Sequence, residues 1–519
     1  MQLLRRSLIL LHRYLGIPLS VLFVLWFVTG IAMIYVGGMP ALDPKARLER
    51  LPELDIATAR LTPAEAAARA ERGFGQVRLT TILGRPAYRF DSRYGSATVF
   101  ADDGATLPRL DIETAKGVAA KFLSADAKNV SLLATVDRPD QWTLTLGRAL
   151  PLYKFAVSDG AGTQVYVSPE TAEVQLVTTQ RTRTLAWIAT IPHWFYITPL
   201  RVNQPAWYWT VVIASGIGCV LALLGIVVGV VQLFRYQPTR WIGTARYRGW
   251  MWWHQVLGLV FGVFALTWVF SGLLSMEPFD WTNAEGLRIG DDALSGGPVE
   301  LDGFPAFDAS AWAPLVGGRA LKELEFKRVA DRPYYLAKFA TATAELDPHR
   351  ERLHQPYQVG GRAEPEHLLI DATTMTPHAD PFTADSLLGR LASAAGGARI
   401  VDQQLLHDYD SYYYSRGKQA PLPVLRVKFD DPLQTWVYVD VELGQVVATI
   451  HRLNRLERWL YNGLHSLDFG FWYDKRPLWD IGMIALSLGA LATSAIGLWF
   501  GMKRVKLDLK RLTRPRGPA

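Results

Sequence analysis

Four histidines stand in matched places along this chain. His12 and His254 are 242 residues apart, and each is followed by Gly at +4 (Gly16, Gly258), Trp at +14 (Trp26, Trp268) and Gly at +18 (Gly30, Gly272). His193 and His465 are 272 residues apart, and each precedes a proline (Pro205, Pro477) by twelve residues. All four lie at the mouths of apolar runs. Imidazole is a strong ligand for haem iron, and two imidazoles can take both axial positions of one macrocycle. Matched pairs can therefore hold two haems, His12 with His254 and His193 with His465, one near each membrane face. No Cys-x-x-Cys-His motif is present, so haem here would be non-covalent and b-type. The plainer alternative is four interfacial histidines bonded to backbone or lipid headgroups. Zinc suits the pairs less well, since no carboxylate or cysteine accompanies them at ligand spacing.

The elements that must position these residues follow from hydropathy. Half of the 519 residues are hydrophobic and the mean hydropathy is +0.09, too apolar for an ordinary soluble protein. Apolar runs at 14–36, 202–234, 249–276 and 481–502 are each long enough to cross the roughly 30 Å hydrocarbon layer as a helix. Arg5, Arg6 and Arg13, then Arg235, Arg240, Arg246 and Arg248, then the Lys- and Arg-rich tail from Lys503 to Arg516, flank these runs in short segments. The positive-inside bias puts both termini in the cytoplasm and the two large polar regions outside. It also accounts for most of the +7 net charge, so nucleic-acid binding is not implied. With Cys219 as the one cysteine, no intrachain disulfide can form. The first run is too long for a signal peptide and lacks a clean cleavage site, so it reads as a retained span.

A shift of 272 residues aligns Pro151 with Pro423, Val165-Tyr166-Val167 with Val437-Tyr438-Val439, Arg183 with Arg455, Trp207 with Trp479 and Gly225 with Gly497. No gap is needed, which predicts two copies of one unit: span, external domain, span. The fold class expected is a membrane α-helical bundle of four transmembrane helices in two tandem repeats, with two α+β extracytoplasmic domains. The boundaries are 1–36 for the first span, 37–184 for the first external domain and 185–234 for an interfacial helix plus the second span. A cytoplasmic loop at 235–249, a third span at 250–276 and a second external domain at 277–456 follow. An interfacial helix plus the fourth span (457–502) and a basic tail (503–519) complete the chain. Alternating apolar residues at 152–157, 163–167, 424–429 and 435–439 predict strands, and Thr62-Pro63 and Ile112 open helices.

Gly225/Gly229, Gly497/Gly501 and Gly258/Gly262 are spaced four apart, which suits close helix packing in lipid. The tryptophans at span ends, Trp207 and Trp479 among them, read as an interfacial belt. His349, His354, His367, His378, His407 and His451 have no counterpart under the repeat and read as surface or loop residues. Tyr412, Tyr413 and Arg416 form an aromatic and basic stretch that could line a site for a bulky chelate, or else pack a domain core.

The stretches Val437-Tyr438-Val439-Asp440, Gly444-Gln445-Val446 and Arg455-Leu456-Glu457-Arg458-Trp459-Leu460-Tyr461-Asn462-Gly463-Leu464-His465-Ser466 resemble those of the PepSY-associated transmembrane family. So does Leu11-His12-Arg13-Tyr14-Leu15-Gly16. One departure is Ala172 in the first copy where the second has Gly444. The family includes iron-regulated inner-membrane proteins, among them haem-containing siderophore reductases. The resemblance implies PepSY-type external domains and electron transfer across a bacterial inner membrane to a ferric siderophore or similar ferric chelate. No strand precedes Gly216-Ile217-Gly218, so it is no dinucleotide fingerprint. A quinol or a separate reductase must then supply electrons. No pattern identifies a catalytic residue. Isolated PepSY domains are associated with peptidase inhibition, and the rival expectation is a haem-free membrane scaffold that binds or restrains a partner protein such as a peptidase. A transporter fits poorly, because the spans lack buried acids and Pro-broken midplanes.

Overall fold

The apolar runs become four long helices, Gln2–Met33, Gln204–Arg235, Trp250–Leu274 and Leu478–Leu512. They belong to a computed structural model that describes residues 2–36, 38–70, 74–92, 95–235, 247–284, 286–340, 366–414 and 420–512. All four are long and apolar enough to cross a membrane. The loop basics Arg240 and Arg246, the tail residues Arg514 and Arg516, and His349 and His354 lie outside the described residues. The chain divides into two compact units. One comprises Met1–Met39, Thr184–Asn283 and Leu456–Ala519, and the other Pro40–Arg183 and Ala284–Arg455.

In the helical unit the first helix packs on the fourth and the second, and the third on the second and fourth. Small residues set the close approaches. A methyl group on Gly229 would lie 2.9 Å from Leu259, one on Gly262 3.3 Å from Ile226, and one on Gly501 3.4 Å from Ile17. These glycines let neighbouring helices interlock, as their spacing suggests. Phe23, Phe27, Leu221, Ala265, Trp268 and Val269 fill the centre. Leu185–Leu200, read from sequence as one interfacial helix, is broken into Gln180–Ile188, Thr190–Trp194 and Thr198–Arg201.

The second unit is α+β. Each half contributes a helix followed by a four-stranded antiparallel sheet in sequential order. The first has Ile112–Phe122 with Val130–Val136, Leu152–Val157, Gln164–Val167 and Val174–Thr178; the second has Ala384–Ala394 with Ile400–Leu406, Val424–Phe429, Trp436–Asp440 and Gln445–Ile450. The two helices are capped alike, Asp111 accepting from Thr114 N–H at 2.7 Å and Thr383 from Ser386 N–H at 3.4 Å. The helix Pro63–Ala70 is opened by a reciprocal capping box, Thr62 with Glu65. Ala172 and Gly444 take the same left-handed turn, with φ of 55° and 60°. The alanine accepts the strain; at Gly444 a Cβ would lie 2.4 Å from Val329, so only glycine fits.

The two halves are not separate bodies. Gln76–Ile82 pairs antiparallel with Leu321–Val329, which joins three strands of the first half to four of the second in one seven-stranded sheet. Pairing covers an edge that each half would otherwise expose. Buried charges gather at this seam. Glu323, 2 % exposed, meets Arg47 at 2.7 Å, and Glu173 meets Arg78 at 3.3 Å and Arg89 at 3.7 Å. Burial would raise the Glu173 carboxyl, but Arg78, Arg89 and Arg47 outweigh it and hold the group below the usual carboxylate range.

Candidate functional site

The structure brings the histidines together in two pairs. His12, in the first helix, faces His254, the fifth residue of the third. Their ring centres are 6.4 Å apart and their planes 36° apart. His254 Nδ1 lies 3.1 Å from the carbonyl oxygen of Thr493. A carbonyl only accepts, so Nδ1 carries the proton and the lone pair is left on Nε2. The equivalent carbonyl for His12 is Leu221, 272 positions before Thr493. That contact is looser, and His12 Nδ1 completes no hydrogen bond there. Each ring is seated on a glycine of the neighbouring helix. A methyl group on Gly225 would lie 2.9 Å from His12 Cε1, and one on Gly497 3.2 Å from His254 Cε1. Gly225 therefore makes room for an imidazole, and Gly497 both for an imidazole and for close packing of the first helix, whose Ser20 Oγ would lie 3.3 Å from the added methyl.

The second pair is carried near the ends of two segments. His193 sits in Thr190–Trp194 and His465 in Leu464–Ser466, the last turn of a helical run that starts at Arg452 and passes through a π-helical stretch, with ring centres 6.2 Å apart and planes at 73°. His193 Nδ1 is 3.0 Å from the Thr29 hydroxyl, whose own proton goes to the Leu25 carbonyl at 2.7 Å. The hydroxyl oxygen must then accept from Nδ1–H, leaving the lone pair on Nε2. Ser271 repeats this, donating to Trp268 O at 2.9 Å and accepting from His465 Nδ1 at 3.0 Å. Gly30 and Gly272 lie under these rings, with a would-be methyl 3.5 Å from His193 Cε1 and 4.0 Å from His465 Cε1. Each segment ends in a left-handed residue, Phe195 or Leu467. Each is also clamped by a tryptophan of the following helix: Trp207 Nε1 donates to Trp194 O at 2.8 Å, and Trp479 Nε1 to Ser466 O at 3.0 Å.

His12 and Thr29 are 17 residues apart on one helix, so the two pairs are separated by about 26 Å along it. Aromatic side chains occupy the interval. Phe23 meets Phe27 at 6.1 Å, Phe27 meets Trp268 at 5.8 Å, and Trp268 meets Phe264 at 6.2 Å between ring centres.

Such pairs can share a metal ion. An imidazole nitrogen binds a metal at about 2 Å, which sets two ring centres across one ion roughly 6 Å apart. Both separations match. Among the described residues no three His, Cys, Asp or Glu cluster together. Each pair thus offers two nitrogen donors, the number an iron already held in a macrocycle lacks.

Of the residues proposed for a chelate site, Tyr413 is turned into the core. Tyr413 is fully buried, stacks on Tyr438 at 5.0 Å and donates its hydroxyl to Pro421 O at 2.8 Å. It is a core residue with its polar group already engaged. Tyr412 packs edge-on against Trp436 at 5.3 Å, and Arg416 lies outside the described residues. The sequence reading also missed Thr29 and Ser271, although the 242-residue shift aligns Thr29-Gly30 with Ser271-Gly272. It assigned Trp207 and Trp479 to an interfacial belt, yet both stand fourteen residues after a paired histidine.

A family model described as PepSY-associated TM region matches residues 9–343, a stretch that holds His12, His193 and His254. No curated protein matches the chain.

Proposed function

The chain belongs to the PepSY-associated transmembrane family and is a multi-pass membrane protein; from that premise we propose that it carries electrons across the bilayer through two b-type haems. His12 and His254 would hold one, His193 and His465 the other. The observation that supports this most is the doubled geometry: ring centres 6.4 and 6.2 Å apart, with three of the four Nδ1 atoms bonded so that Nε2 keeps its lone pair. A haem held by such a pair would supply one-electron transfer. The residues of this chain supply the rest. The glycine seats fix the rings, acceptors at Nδ1 fix the tautomer of His193, His254 and His465, and the aromatic packing keeps water out of the interval between the pairs.

On this reading the chain is two tandem copies of one unit in a bacterial inner membrane. The basic segments lie in the cytoplasm and the sheet-rich unit in the periplasm. A quinol or a separate reductase gives electrons at the His12/His254 end. A ferric siderophore or similar ferric chelate takes one electron per iron at the other end and becomes ferrous. Ferrous iron binds hard oxygen ligands far more weakly, so reduction releases it.

The haem-free scaffold is the second reading. It is favoured by the free edges of the two four-stranded sheets, where Leu133 and Val401 are 50 % and 61 % exposed and could pair with a partner's strand. The visible spectrum of full-length protein from haem-replete cells decides between the two. A b-type Soret band supports the haem reading, and a colourless preparation leaves the scaffold. Mixing the reduced protein with ferric chelates then tests the acceptor, with reoxidation of the haem expected.

A further inference from the structure

Two helical turns outward from the His12/His254 pair, two polar side chains carry buried atoms with no hydrogen-bond partner among the described residues. Nε and Nη1 of Arg5 are buried and unbonded, and so is Oε1 of Gln232, a residue only 7 % exposed. The register of the first and second helices sets them opposite one another. Gly16 packs on Leu221 and His12 on Gly225, so the helices run antiparallel, and seven residues further out the positions are Arg5 and Gln232. Seven residues are two turns, which returns each side chain to the face that carries His12 or Gly225, about 10 Å further along the axis. Guanidinium nitrogens buried without an acceptor are costly, and the planar fork fits two oxygens of an acidic group. Gln232 Oε1 is an acceptor, so it can take one guanidinium N–H and orient the fork while the remaining N–H groups face the acidic group. The second copy differs: Arg504, aligned with Gln232, donates to Asp508 at 2.9 Å. The unanswered cation belongs to the first copy.

We propose that Arg5, assisted by Gln232, receives a carboxylate or phosphate group two turns outward from His12. Resting on the haem reading above, the group is a propionate of the haem held by His12 and His254. An anionic lipid phosphate would offer the same oxygens.

The test uses full-length protein in detergent, comparing the wild type with Arg5→Gln, which removes the charge and keeps the length. Transfer of haem to excess apomyoglobin should become roughly tenfold faster for one of the two haems, corresponding to about 1.4 kcal/mol. The haem on His193 and His465 should leave at the wild-type rate, which shows that the variant is folded. Reconstitution with haem dimethyl ester, which lacks the free carboxylates, should abolish the difference between wild type and variant. If haem transfer is unchanged but phosphatidylglycerol retained by the wild type in native mass spectrometry is lost from the variant, the acidic group is a lipid phosphate. If neither changes, the proposal is wrong. A wild type that binds no haem overturns the histidine reading alone, and the lipid measurement still decides Arg5.

Discussion

The two histidine pairs have nearly equal ring separations but opposite construction. His12 and His254 lie within continuous helices, each seated on a glycine of the neighbouring helix, and His254 alone bonds a backbone carbonyl, that of Thr493. His193 lies in a short segment and His465 in the last turn of the helical run 452–466, both bonded to hydroxyls, of Thr29 and Ser271, and tied down by Trp207 and Trp479. The first arrangement derives its precision from helix packing, and the second from side-chain hydrogen bonds. Damage to packing should therefore act on one pair, and damage to polar anchors on the other.

The largest effect expected is from the ligands themselves. His12→Ala should remove the haem of the first pair and leave the second, and His193→Ala should do the reverse, as read by haem content and the split of the reduced spectrum. Glycine substitutions come next. Gly225→Ala places a methyl 2.9 Å from His12 Cε1, whereas Gly272→Ala leaves 4.0 Å to His465. Overpacking of this kind costs roughly 1–3 kcal/mol, so Gly225→Ala should weaken haem retention at the first pair while Gly272→Ala leaves the second near wild type. Equal effects of the two would erase the contrast.

Polar anchors should act in the other direction. Thr29→Val and Trp207→Phe each remove one hydrogen bond, about 1 kcal/mol, and should shift the midpoint potential or haem-loss rate of the second pair only. The smallest effect is a control, because neither pair contains a carboxylate. Glu173 at the sheet seam titrates below its ordinary value of about 4.3, so the unfolded chain takes up that proton first. Its stabilising contribution is complete above that value and falls away as pH drops toward the folded value. Thermal melts between pH 6 and pH 3 should show an acid-dependent loss in the wild type that Glu173→Gln lacks, with no change in haem stoichiometry.

Much of this design was legible in the residues. Charge-free runs mark the four helices, and the 242- and 272-residue repeats pick out the four histidines, because keeping a polar ring at matched depths leaves a periodic trace. That Gly225 and Gly497 also seat imidazoles was not legible, since a glycine seating a ring has the same spacing as one seating a neighbouring helix. The pairing of Gln76–Ile82 with Leu321–Val329 has no local signature, as strands more than two hundred residues apart carry no record of which edge they share. Tyr413 was open to two readings because aromatic and acidic residues in a turn do not reveal which ring points inward.

The central claim is one haem for each histidine pair, and the pyridine-haemochrome count per chain tests it most directly. Two haems are expected in the wild type and one in each of His12→Ala and His193→Ala, with the native reduced spectra of the two variants differing. A colourless wild type, or two variants that lose the same haem, would contradict it.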